Sequence, residues 1–100
     1  MARSSSELIP EDNLGKKVQI LKAVANPFRL QIVNILVSGE CQVGELVNTL
    51  GTKHPLVSNQ LRILKYAGIL KSRRDGAKVY YSLASDSIKR IVESIIAEIL

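Results

Sequence analysis

Tryptophan is missing from this sequence, and cysteine, methionine, phenylalanine and histidine occur once each. Phe28, Tyr66, Tyr80 and Tyr81 are the only aromatic residues, so a core has to be assembled from leucine, isoleucine and valine. The lone Cys41 cannot close an internal disulfide, which excludes a disulfide-stapled extracellular scaffold and points to a reducing, cytoplasmic setting. No apolar run approaches the roughly 20 residues of a membrane span. The first residues lack the charged-then-apolar order of a signal peptide, so no membrane partner is expected. There is no glycine-rich phosphate cradle, no histidine near a nucleophile and no clustered carboxylate site, so the chain reads as a non-enzyme. One cysteine and one histidine, His54, make a poor ligand set, and neither a metal nor a cofactor is expected.

What the chain does have is aliphatic bulk and positive charge. Hydrophobic residues make up 46% and charged residues 23% of 100 residues, ordinary proportions for one globular domain. A chain this short buries a modest core, so a partner subunit is a natural source of further stability. Fourteen Lys and Arg against nine Asp and Glu leave a formal net charge of +5, which favours a polyanionic partner such as nucleic acid.

Residues 1–13, with Ser4, Ser5, Ser6, Pro10, Glu11 and Asp12, show little apolar periodicity and read as a flexible N-terminal arm, leaving 14–100 as the folded domain. Leu14, Val18, Leu21 and Ala25 then recur at helical spacing, widened by Ile20 and Val24, which predicts a first helix. Asn26 is suited to cap a second helix, with Pro27 in its first position. That helix turns Phe28, Ile32, Ile35 and Leu36 inward and ends at Ser38-Gly39. Val43, Leu46, Val47 and Leu50 predict a short third helix stopped by Gly51. A fourth, from about Lys53 or Pro55 to Ala67, carries Val57, Leu61 and Leu64 inward. Two short strands around Asp75-Gly76 follow as a hairpin. A last helix, capped by Ser85 or Asp86, has the stripe Ile88, Ile91, Val92, Ile95 and Ile99. The expected fold is mainly α with a small β-hairpin, a winged helix-turn-helix of order α-α-α-α-β-β-α.

The third and fourth helices are separated only by Gly51-Thr52, or by Gly51 to Lys53, the spacing of a helix-turn-helix. The major groove of duplex DNA admits one helix, and the preceding helix braces it across the backbone. On the outward side of the fourth helix stand His54, Pro55, Ser58 and Asn59, short groups near its N-terminus and mostly hydrogen-bonding, and asparagine can pair bidentately with adenine. Lys53, Arg62 and Lys65 suit phosphate contacts, which set register without reading sequence. The hairpin tip adds Arg73, Arg74 and Lys78, placed to reach a neighbouring minor groove or backbone. The partner expected from these residues is double-stranded DNA. The competing reading is a winged-helix module that binds protein and not DNA. The apolar stripes of the first and last helices are wider than a thin domain needs, and packing of both against a second copy would explain them; the alternative is that they only cover their own core.

Several segments in one order carry a family resemblance: Ala23–Leu30 (AVANPFRL), Gly44–Leu46, Pro55–Ser58, Leu61–Leu64, Ala67–Leu70, Arg73–Gly76 and Val79–Tyr81. They resemble the ArsR/SmtB family of winged-helix repressors over roughly Lys16 to Leu100. The resemblance implies a homodimer formed through the first and last helices, release of DNA when an inducer changes the dimer, and DNA readers at His54, Pro55, Ser58 and Asn59. The scaffold is similar to the HlyU-like branch but lacks its cysteine pair: Asn34 stands where one thiol is expected, and the last helix has none. Members that sense soft metals carry two cysteines at the start of the third helix, whereas Glu40-Cys41-Gln42-Val43 has one. Members that hold zinc between their last helices use an Asp, a role open to Asp86, and histidines that the last helix lacks. Cys41 has two readings here: a small packing residue at a helix entrance, or a single-thiol sensor tuned by the helix N-terminus.

Overall fold

The computed structural model describes residues 5–99. Ser5–Glu7 make one 3₁₀ turn, and α1 (Glu11–Val24) begins three residues before the apolar stripe does. Glu11 and Asp12 lie in its first turn, where the positive end of the helix dipole favours carboxylates. The rest of the anticipated arm, residues 1–4, lies outside the described residues. At Asn26 the chain turns sharply, with α1 and α2 (Pro27–Val37) meeting at 96°. Asn26 Oδ1 accepts the Arg29 N–H at 3.0 Å with Pro27 next to it, the cap that the Asn-Pro pair predicts. No single helix among the described residues is long and apolar enough to cross a membrane.

After α2 come α3 (Val43–Leu50), α4 (His54–Tyr66), the strands β1 (Leu70–Asp75) and β2 (Lys78–Leu83), and α5 (Asp86–Ile99). This is the expected α-α-α-α-β-β-α order of a winged helix-turn-helix. Glu45 reaches back to accept the Gln42 N–H at 3.1 Å and closes the start of α3. Ser85, not Asp86, caps α5, its Oγ accepting the Ile88 N–H at 3.1 Å. The strands pair antiparallel from Leu70 opposite Leu83 to Asp75 opposite Lys78. Gly76 and Ala77 are therefore the two loop residues, one position later than an Asp-Gly centre. Only Gly76 takes a positive φ, +63°, as a turn that demands this at its first central position requires.

The core is aliphatic throughout. Ile32 and Val33 from α2, Leu46 from α3, Val57, Leu61 and Leu64 from α4, and Ile69 before the hairpin are wholly buried, with Val92 of α5 nearly so. The α1 stripe behaves differently. Residues 11–19 are exposed, and Leu14, Val18 and Leu21 keep 38%, 40% and 57% of their surface, while Ala23 and Val24 alone in α1 are buried. The first half of α1 thus projects past the core. The Cα radius of gyration is 15.7 Å, against about 13 Å for a typical compact 100-residue domain.

Candidate nucleic-acid interface

The joint between α3 and α4 is short because Gly51 adopts the left-handed conformation, φ 64° and ψ 40°, that a side chain would resist. Thr52 N–H bonds back to the Val47 carbonyl at 3.2 Å, and three residues, Gly51 to Lys53, complete the turn. Pro55 sits in the first turn of α4, where its missing N–H costs nothing. Val57, Leu61 and Leu64 then lock one face of α4 into the core at zero exposure, which fixes the rotation of the helix and turns its other side outward.

That other side carries the residues singled out from the sequence. Lys53, His54, Pro55, Asn59, Arg62 and Lys65 are exposed and Ser58 is half-buried. They form two linked pairs: Ser58 Oγ lies 3.2 Å from His54 Nδ1, and Arg62 donates to Asn59 Oδ1. Asn59 is thereby held through its amide oxygen. Lys65 Nζ donates to Ser72 Oγ at 2.7 Å and ties α4 to β1. Between Glu45 and Asp75 the chain holds no carboxylate at all, yet it includes Lys53, Arg62, Lys65, Lys71, Arg73 and Arg74. Helix α4 and strand β1 are therefore uniformly non-acidic as far as Arg74.

The two wing arginines part company. Being adjacent on a strand, they point to opposite faces of the hairpin. Arg74, opposite Val79, is exposed on the face shared with Ser72. Arg73 makes a two-pronged bond to Glu40, Nε to Oε2 at 2.9 Å and Nη2 to Oε1, while its guanidinium lies 4.5 Å from the centroid of the Tyr80 ring. Glu40 reads from sequence as one more solvated carboxylate. Its role has no local signal because its partner is 33 residues away and tertiary structure brings the two together. Next to it, Cys41 exchanges backbone hydrogen bonds with Tyr81, 3.0 and 2.8 Å, so the α2–α3 connection is clipped to the outer edge of β2.

The Arg73 guanidinium holds the Glu40 carboxyl below its ordinary value, chiefly through the hydrogen bonds. A carboxylate whose pKa is depressed by folding keeps its partner above the unfolded value and loses it as pH falls through the folded one. The wing clip is thus intact at neutral pH and opens only in acid, below the ordinary Glu value of 4.5. Carboxyl-detected NMR titration is expected to give Glu40 a midpoint below that value and to return it to the ordinary range in Arg73→Ala.

Cys41 is half-buried, its Sγ 3.8 Å from the Gly39 carbonyl, and burial followed by the charges of Glu45 and Glu40 pushes the thiol up. That opposes the thiolate a sensing cysteine needs. Among the described residues no three of His, Cys, Asp and Glu converge where a metal ion would sit.

The profile of the bacterial regulatory protein, arsR family, matches residues 26–72, the span from the cap of α2 into β1. A biofilm growth-associated repressor of Agrobacterium fabrum is 40% identical over 78 residues, 78% of this chain and 67% of that protein. The transcriptional activator HlyU of Vibrio cholerae is 37% identical over 83 residues, 83% of this chain and 77% of that protein. Its solved structure superposes with a TM-score of 0.81 at 36% identity, covering 86% of this chain and 94% of that one. The homodimeric winged helix-turn-helix DNA-binding domain Mb0332 of Mycobacterium bovis superposes with a TM-score of 0.81 at 28% identity, covering 98% and 90%.

Proposed function

The chain belongs to the arsR family of bacterial regulatory proteins, and from that premise we propose that it is a transcriptional repressor that reads duplex DNA as a homodimer. One observation carries the reading. The inward face of α4 is wholly buried, while the opposite side presents His54, Pro55, Ser58, Asn59, Arg62 and Lys65 on a surface free of acids. His54, Pro55, Ser58 and Asn59 enter the major groove, with Asn59 positioned by Arg62. Lys53, Arg62 and Lys65 meet phosphates. Arg74 and Lys78 extend the contact from the wing, and Arg73 joins them to the extent that Glu40 releases it. Cys41 serves as a packing residue.

The homodimer is supported by the exposed face of α1 and by Ile91 of α5, 45% exposed beside the half-buried Ile95 and Ile96. A second copy laid on these helices covers them and presents two reading helices. The operator is then a pseudo-palindrome whose half-sites lie about 34 Å apart, one helical turn. Repression follows from occupation of that site, with residues 14–100 as the reading and dimerising domain, entered through the first turn of α1 at Glu11.

Two substitutions test the assignment of roles. Asn59→Ala is expected to cost about 1–3 kcal/mol per half-site on the cognate operator, with little change on unrelated duplex. Arg74→Ala is expected to weaken both alike. Fluorescence anisotropy against the two duplexes reads the difference. If both variants bind like the parent, the reader and the wing are misassigned.

A further inference from the structure

Resting on the reading of α4 as the DNA-reading helix, we propose that the cleft between α1 and α4 binds a small organic carboxylate, and that its occupation opposes DNA binding through Arg62. The cleft holds about 450 Å³, within the ordinary range for small-molecule sites. Its lining is largely apolar: Ala23 and Ala67 are nearly buried, Ile63 is 37% exposed and Tyr66 is 87% exposed at its edge. Three cations line it, Lys22 from α1, Arg29 from α2 and Arg62 from α4, and no acidic residue does. A largely apolar lining with unopposed positive charge fits an anion with an apolar body better than a bare inorganic ion.

Arg29 is the preorganised member of the three. Its Nε donates to the Ala23 carbonyl at 2.6 Å and its Nη1 to Gln60 Oε1 at 3.0 Å, which leaves Nη2 without a protein partner among the described residues. A guanidinium held in this way offers its remaining donors to a carboxylate without first having to be ordered. The cleft is also separate from the apolar face of α1. At roughly 100° per residue, Ala23 lies well around the helix from the line of Leu14, Val18 and Leu21, so a second copy on that line leaves the cleft open.

Arg62 connects the cleft to the reading face. It donates to Asn59 Oδ1 while also lining the cleft. A carboxylate held by Arg29 and Lys22 adds Arg62 as its third cation and draws that side chain into the cleft, off Asn59. Asn59 then loses the group that orients it, and DNA loses a phosphate contact. By reciprocity, bound DNA lowers affinity for the carboxylate by the same factor.

The test uses the ¹⁵N-labelled whole chain with phenylacetate, octanoate and inorganic phosphate added separately, and each addition repeated on an operator-binding assay. Saturable amide shifts centred on Lys22, Ala23, Arg29, Arg62, Ile63 and Ala67, and extending to Asn59, are expected with a carboxylate and not with phosphate, the two acids telling ring from chain. The duplex dissociation constant is expected to rise about fivefold or more, the lower end of ordinary allosteric coupling. Ile63→Trp, which fills the cleft without changing charge, is expected to abolish the shifts and the effect on DNA while ligand-free duplex binding stays at the parent level. The proposal is overturned by shifts with phosphate alone, which would make the cleft a DNA-backbone contact. Absence of saturable shifts with either acid, or shifts with no loss of DNA affinity, overturns it as well. A ligand-free protein that ignores duplex DNA instead brings down the underlying reading of α4, an outcome visible before any acid is added.

Discussion

Leu21→Asp is expected to yield a folded monomer that has lost most of its hold on operator DNA. Leu21 retains 57% of its surface in the single chain and contributes nothing to the buried core, so within one chain the substitution is a surface change worth a few tenths of a kcal/mol. In the proposed dimer the same side chain is covered. Two-fold symmetry places the new carboxylate in the interface twice. At roughly 2 kcal/mol or more for each anchoring side chain removed from an interface, the pair raises the dimer dissociation constant by about 10³-fold. Without the second reading helix the avidity of two linked half-sites disappears, about 10²- to 10⁴-fold in affinity. Light scattering and anisotropy on the same sample read both effects. A variant that stays dimeric would place the interface elsewhere. The exposed half of α1 sharpens this expectation. An isolated helix of 14 residues is marginal in water, and residues 11–19 have no cover within the chain.

The second large effect lies in the core. Leu61→Ala is expected to destabilise the domain by about 2–5 kcal/mol, because Leu61 is wholly buried among side chains that cannot fully close the gap. Against a total stability of about 5–15 kcal/mol this is a substantial fraction, and Tm should fall by about 10 °C or more. Leu56→Ala on the same helix, where the side chain is 46% exposed, should move Tm by no more than a few degrees. Leu61 is also one of the three residues that set the rotation of α4. Its truncation should therefore weaken DNA binding beyond what the unfolded fraction explains, even though it touches no DNA. Equal melting of the two variants would contradict the packing described here.

The difference between these two leucines marks how far the sequence alone could be read. Helical spacing identifies Val57, Leu61 and Leu64 as one face of α4, and Asn26-Pro27, Gly51 and Ser85 act where capping chemistry requires. These are local rules, and the chain obeys them. The same spacing marks Leu14, Val18 and Leu21 with equal clarity, yet those side chains remain exposed, because periodicity reports which residues seek cover and not whether the cover belongs to the same chain. Val33, Ile69 and Leu70 are buried without belonging to the stripes read from spacing, since they are enclosed by elements distant in sequence. Long-range polar pairs are the least legible. Arg73 with Glu40, Lys65 with Ser72 and Arg29 with Gln60 leave no local trace. The pairing of Arg73 makes the two wing arginines unequal where their sequence is symmetric.

The DNA-binding reading depends on the outward face of α4 and the wing meeting DNA phosphates. Its most direct test is the operator affinity of the dimer measured across a series of salt concentrations. A contact made by Lys53, Arg62, Lys65, Arg74 and Lys78 from two protomers predicts a straight line of log affinity against log salt with a slope of about −9, shallower by about 2 in Arg74→Ala. Affinity that does not change with salt, or no binding to duplex DNA at the lowest salt, would contradict it.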